Sequence, residues 1–178
     1  MHTPLVRPTG VARRFGIDEV IVTKTDLQGR LTYVNDVFLR VSCYDEQDVV
    51  GKPHNVIRHP EMPRAVFGLL WNEIQAGNEI FAYVNNLAAD GAHYWVFAHV
   101  TPTRVNGRIV GYHSNRRVPD QAAVQAVTPV YRQLLAEEQR HSHPVHAIEA
   151  STRLLGEILA DAGVTYDEFV WSLAGVAA

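Results

Sequence analysis

The stretch IFAYVNNLAADGAHYWVFAHVTPTRVNGRIVGYHSNR, residues 80–116, decides the architecture. It divides into three runs, Ile80 to Ala88, His93 to Arg104 and Arg108 to Arg116, each with strand-like alternation. Asp90-Gly91 and Asn106-Gly107 separate them, and both dipeptides tolerate the positive φ that tight hairpin turns require. A three-stranded antiparallel meander follows. Working outward toward the N-terminus, Glu19 to Thr25 is rich in β-branched residues and ends at the turn-forming Asp26-Leu27-Gln28-Gly29, after which Arg30 to Val34 makes a second short strand. That hairpin brings the sheet to five strands.

The segment between hairpin and meander has a helical rhythm. Asn35 stands as an N-cap before Val37, Phe38, Leu39 and Val41, and Asp45 to Val49 offers a further turn or two. Gly51, Pro53, Pro60 and Pro63 chop residues 51–63 into brief turns. A longer helix runs from Pro63 to Ala76, stopped by Gly77, with Val66, Phe67, Leu70, Trp71 and Ile74 along one face. The order β-β-α-α-α-β-β-β defines an α+β fold with helices covering one face of an antiparallel sheet. Beyond Pro119 the periodicity is that of amphipathic helices: one through Val124 and Leu135 with a kink expected at Pro129, one from about Val145 to Ala162, and one from Tyr166 to Leu173. Residues 1–18, with Pro4, Pro8, Gly10 and Gly16, read as an extended or mobile arm. The chain therefore divides into a flexible arm (1–18), an α+β domain (19–118) and a helical tail (119–178). Residues 145–178 alone are too few to bury a core of their own.

Composition narrows the function. A net charge of −3, from 16 Lys and Arg against 19 Asp and Glu, leaves no basic stripe for a phosphate backbone, so no nucleic-acid partner is expected. The single Cys43 excludes an intrachain disulfide framework and multi-cysteine metal sites and fits a reducing cytoplasm. No run of about 18 apolar residues occurs, and the first residues carry no signal-like apolar stretch. Nothing in the sequence sets out a nucleophile, a base and oxyanion donors, so no enzyme is expected.

Pro53-His54-Asn55-Val56-Ile57-Arg58-His59-Pro60-Glu61-Met62-Pro63 resembles the signature of bacterial aerotaxis-receptor PAS domains. Tyr33-Val34-Asn35-Asp36, Asp90-Gly91-Ala92-His93-Tyr94-Trp95-Val96, Thr101-Pro102 and Gly111-Tyr112 match in register, so the resemblance spans about residues 20–118. It implies a PAS fold whose pocket holds FAD non-covalently, a redox- or oxygen-sensing role, and Asn35, Arg58, His59, Trp71 and Asn86 as cofactor contacts. It also implies Val96, Ala98 and Val100 facing the pocket, Phe97 and His99 facing away, and His113 pointing inward toward the ring. Signalling would pass through the tail to a protein in trans, with a homodimer as a further possibility. Haem held by His113 or His59, or a cofactor-free dimerisation module, are the alternatives.

Each residue also has a plainer reading. Arg58 and His59 could cap neighbouring helices, Asn35 is explained by its N-cap role, and Trp71 fits ordinary core packing. Asn86, if inward on a central strand, would be a buried amide lacking a partner, which points to a ligand. His113 could bond the backbone instead of a cofactor. His141, His143 and His146 could hold a metal, although Pro144 favours a solvated hinge. Cys43 reads as a small buried residue.

Overall fold

The computed structural model describes residues 6–173. Strands β1 (Ile21–Thr25), β2 (Leu31–Val34), β3 (Ile80–Leu87), β4 (His93–Val105) and β5 (Arg108–Arg117) form one antiparallel sheet in the order β2-β1-β5-β4-β3. Helices α1 (Asp36–Ser42), α2 (Glu46–Val49) and α3 (Arg64–Ala76), with a 3-10 turn at His54–Ile57, lie between β2 and β3. This is the PAS fold expected. The crossover returns the chain to the sheet's far side, so β3 is an edge strand and not the central one expected for Asn86. It is nevertheless covered on both faces: six of its last seven residues, from Ala82 onward, are buried.

The β4–β5 hairpin contains a one-residue slip. Val105 pairs with Arg108 and Arg104 with Ile109, but Thr103 pairs with Gly111, which leaves Val110 as the extra residue of a bulge. Every β5 position beyond it is displaced by one against β4, so Val100 faces Ser114. Gly111 is needed here because a Cβ would sit 2.2 Å from the Thr25 carbonyl oxygen of β1.

Helices α4 (Gln121–Gln139), α5 (Pro144–Ala162) and α6 (Tyr166–Leu173) close the fold. Tyr94, Val96, Ala98 and Val100 of β4 are buried on the side of α1–α3, whereas the residues between them meet the tail. Trp95 stacks on Tyr131 of α4, and Phe97 and Phe81 receive Trp171 of α6 at ring separations of 5.6 and 4.7 Å. The tail thus forms a second helical layer on the sheet face that the α+β reading left open. α4 runs as one helix through Pro129. No helix among the described residues is long and apolar enough to cross a membrane.

Residues 1–5 and 174–178 of the arm and tail lie outside the described residues. Residues 6–18, read as an extended or mobile arm, are tethered to the domain. Thr9 donates from its backbone and side chain to the Gly91 carbonyl, and Arg13 and His93 exchange backbone bonds with neighbours across a parallel bridge. The Arg13 guanidinium reaches the Val41 carbonyl, Cys43 and Asp90. Cys43 is exposed, not buried: it ends α1 in the left-handed conformation, at φ 55°, which turns its side chain outward.

Candidate functional site

A cavity of about 390 Å³ lies between the sheet, α3 and the 3-10 turn. Thr23 and Thr25 (β1), Val84 and Asn86 (β3), Ala98 and Val100 (β4), and Ser114 and Arg116 (β5) form one wall. Ile57, Phe67, Leu70, Trp71 and Ile74 form the other, because the apolar stripe of α3 faces the sheet. At one end the Trp71 ring meets Tyr112 edge-on at 5.5 Å and covers Gly29, where a Cβ would lie 2.6 Å from the ring. Size and lining are those of a small-molecule site.

The polar part of this wall is incomplete. Among the described residues, nine buried side-chain polar atoms have no hydrogen-bond partner, and five belong to lining residues: Thr25 Oγ1, Arg58 Nε, Asn86 Nδ2, Ser114 Oγ and Arg116 Nη1. Native interiors rarely leave such groups without a protein or water partner, and here they gather around one cavity. Two guanidiniums, Arg58 and Arg116, reach the cavity, and among the described residues no Asp or Glu lines it.

Arg116 is only 4% exposed. Its Nη2 donates to Thr23 Oγ1 at 2.9 Å and to His54 Nε2. A guanidinium only donates, so Nε2 accepts and the imidazole proton resides on Nδ1. Burial pushes the Arg116 guanidinium down to about 10. Burial, and then the Arg116 charge, hold His54 far below the usual imidazole range, so it is neutral at pH 7. Arg58 donates from Nη2 to the Met62 carbonyl at 2.8 Å and lies over the Phe67 ring at 5.2 Å. Burial lowers its pKa, the Arg64 charge adds to this, and Glu138 opposes both.

Of the six residues singled out from sequence, Arg58, Trp71 and Asn86 come together on this cavity. Asn35 does not line it. Its Oδ1 accepts from Phe38 N and Val22 N, and its Nδ2 donates to the Val20 carbonyl, so the amide clamps α1 to β1. His59 also turns away: Arg58 is extended, which sends consecutive side chains to opposite sides, and the His59 ring packs edge-on against His93 at 5.9 Å. Its Nδ1 accepts from Glu61 N. His113 borders the cavity by position, but the bulge reverses its face. Paired with Thr101 and Lys24, it directs its imidazole outward to Asn115 Oδ1 at 3.0 Å. An inward His113 requires the unslipped register, in which it would face Val100. Neither imidazole of the haem alternative, His113 or His59, therefore points into the cavity.

The residues that sequence reasoning missed are Arg116, His54, Ser114 and Thr25. His54 stood in the quoted motif, four residues before Arg58. Ser114 and Arg116 become inward only through the bulge. Elsewhere, His141 bonds Glu137 at 3.1 Å and the His143 and His146 rings lie 5.0 Å apart. No cluster suited to a metal ion occurs among the described residues.

Comparison with known proteins agrees with this fold. A family described as the PAS fold matches residues 31–116. The aerotaxis receptor of Escherichia coli (strain K12) is 40% identical over 119 residues, which is 67% of this chain and 24% of that receptor's length. Among solved structures, the blue-light photoreceptor Aureochrome1 LOV in its dark state superposes with a TM-score of 0.55 at 22% identity, over 64% of this chain and 85% of that one. A light-oxygen-voltage domain whose mechanism was probed with a flavin analogue gives a TM-score of 0.55 at 16% identity, over 64% and 86% of the two chains. These structural likenesses show the fold, and the sequence match is to the receptor. The chain carries a PAS domain of the aerotaxis-receptor type.

Proposed function

We propose that this protein is a redox sensor whose cavity binds a flavin nucleotide, FAD, without a covalent bond, and whose tail relays the cofactor's state. One observation carries the reading: the five unanswered polar atoms and two guanidiniums of a largely apolar cavity with no acidic residue among the described residues that line it. Such a lining suits a flat ring with a hydrogen-bonding edge joined to a phosphate. The Asn86 amide offers a free donor for the ring edge, and Arg58, which has no direct salt bridge among the described residues, offers a charge for the phosphate. Trp71, Phe67 and Leu70, which line the cavity, would enclose the ring and exclude water. A bound flavin supplies reversible two-electron chemistry, and the chain holds and reads it. The similarity to an aerotaxis receptor and to a domain probed with a flavin analogue supports this choice.

In this reading the sensor works in the cytoplasm, and the tail contacts a signalling protein in trans or a second copy of the chain. The test is the absorption spectrum of the purified protein, followed by release and identification of the chromophore. Arg58→Ala should remain folded and lose flavin, since a charge-assisted contact of about 1.5–3 kcal/mol corresponds to roughly 10- to 150-fold in affinity. A haem spectrum, a colourless protein that takes up no added flavin, or a full flavin complement in Arg58→Ala would each count against it.

A further inference from the structure

We infer that Glu138, in the last turn of α4, is a positioning residue for Arg58 and the contact through which an occupied cavity holds the tail in place. The inference rests on the flavin reading above. Helix α3 begins after Pro63, which offers no side-chain cap, so its first amides need an acceptor from elsewhere. Glu138 provides it: one carboxylate oxygen accepts from Arg64 N at 2.6 Å and from Ala65 N at 3.2 Å. The hydroxyl of Ser151 in α5, wholly buried, donates to the same oxygen at 3.1 Å. A single tail carboxylate thereby joins α4 and α5 to the positive end of the helix that walls the cavity.

Arg58 rests on that same turn. Its Nη2 donates to Met62 O, two residues before α3, and its plane covers Phe67, in the first turn of α3. Its Nε is buried without a partner, and Arg58 lines the cavity. If Glu138 releases Arg64 and Ala65, the turn that supplies both supports of the guanidinium loosens. Linkage makes the effect mutual: whatever factor the docked tail adds to phosphate binding at Arg58, a bound phosphate adds to tail docking.

The experiment measures FAD and riboflavin affinity for the full chain and for Glu138→Ala and Glu138→Gln, with amide hydrogen exchange across residues 121–162 with and without FAD. Riboflavin carries the ring but no phosphate. Glu138→Ala should weaken FAD about tenfold, a typical coupling factor, and leave riboflavin nearly unchanged. Glu138→Gln, which retains an acceptor oxygen, should recover most of the loss. FAD should slow exchange in α4 and α5 of the parent chain but not of Glu138→Ala. Equal losses for both flavins would reduce Glu138 to a general stabiliser and overturn the inference, as would no loss, or FAD protection that survives in Glu138→Ala. If the parent chain binds both flavins, only the role of Glu138 is at stake in these outcomes. If it binds neither, the flavin reading itself falls.

Discussion

The two faces of the sheet are finished to different standards. On the tail side, several polar groups that become buried meet partners: Tyr131 Oη donates to the Tyr83 carbonyl at 2.8 Å, and three donors converge on Glu138, although Asn85 Oδ1 and Tyr166 Oη are left without one. Aromatic rings from Phe81, Phe97 and Trp171 fill the rest. On the cavity side, a charged residue and several neutral ones are buried with atoms left bare. Each such group costs about 1–3 kcal/mol unless water or another molecule completes it. Bare atoms are thus concentrated at the cavity, five among its lining residues against the two of Asn85 and Tyr166 on the tail side.

The sharpest way to break this contrast is Arg116→Met. Arg116 is a buried cation with no carboxylate beside it, so a flexible apolar side chain of similar length should raise the stability of the ligand-free protein by about 1–4 kcal/mol, as replacement of buried ions often does. The same variant should bind flavin less well. Urea unfolding of the ligand-free forms decides it: a clear fall in stability would make Arg116 a structural residue and erase the distinction between the faces.

On the tail side the sign reverses. Tyr131→Phe removes only a hydroxyl, yet it strands the Tyr83 carbonyl and should cost about 1–1.5 kcal/mol in the same unfolding measurement. A neutral result would mean that this face, too, carries polar groups without energetic consequence.

A smaller effect comes from pH. His54 is held neutral in the fold by burial and by Arg116, and His59 is lowered by burial. The unfolded chain therefore binds more protons below the ordinary imidazole pKa of about 6.5. Stability contributed by these two groups is complete above that value and drains away as pH falls through their folded pKa values, by at most about 1.4 kcal/mol per unit for each. The depressed carboxylates Glu19, Asp90, Glu137 and Glu168 add to the loss only at more acid pH, below the carboxylate range. In Arg116→Met the decline between pH 6.5 and 5 should be shallower, because one cause of the His54 shift is gone. An identical slope would place the cause in burial alone.

Local signals carried the fold a long way. Asp90-Gly91 and Asn106-Gly107 turn where they should, Gly77 stops α3, and Asn35 caps α1. Three features were not legible because each depends on partners distant in sequence. Asn35 satisfies its amide with Val22 of β1 and with Val20 just before it. The tail's seat on Trp95, Phe97 and Phe81 depends on which sheet face stays open, and α3 borrows its cap from a residue 74 positions away. The site was half legible for the same reason. Arg58, Trp71 and Asn86 sit in locally patterned segments, whereas the inward set of β5 is decided by one bulged residue.

His113 gives the smallest expected effect and the most direct test of that bulge. If Val110 is the extra residue, the imidazole lies on the outer face beside Asn115, and Ser114 with Arg116 form the inner one. His113→Leu should then change stability by less than about 0.5 kcal/mol, as surface substitutions usually do. It should also leave flavin content, absorption maximum and midpoint potential where they were, because no cavity atom is altered. A His113 on the inner face would behave otherwise: losing a titratable hydrogen-bond partner worth about 1 kcal/mol to one redox state would move the potential by roughly 20 mV, at 30 mV per 1.4 kcal/mol. A shift of that size, with weakened pH dependence, would mean that β5 pairs without the slip, that Ser114 and Arg116 face outward, and that the division between a finished and an unfinished face has been drawn one residue out of register.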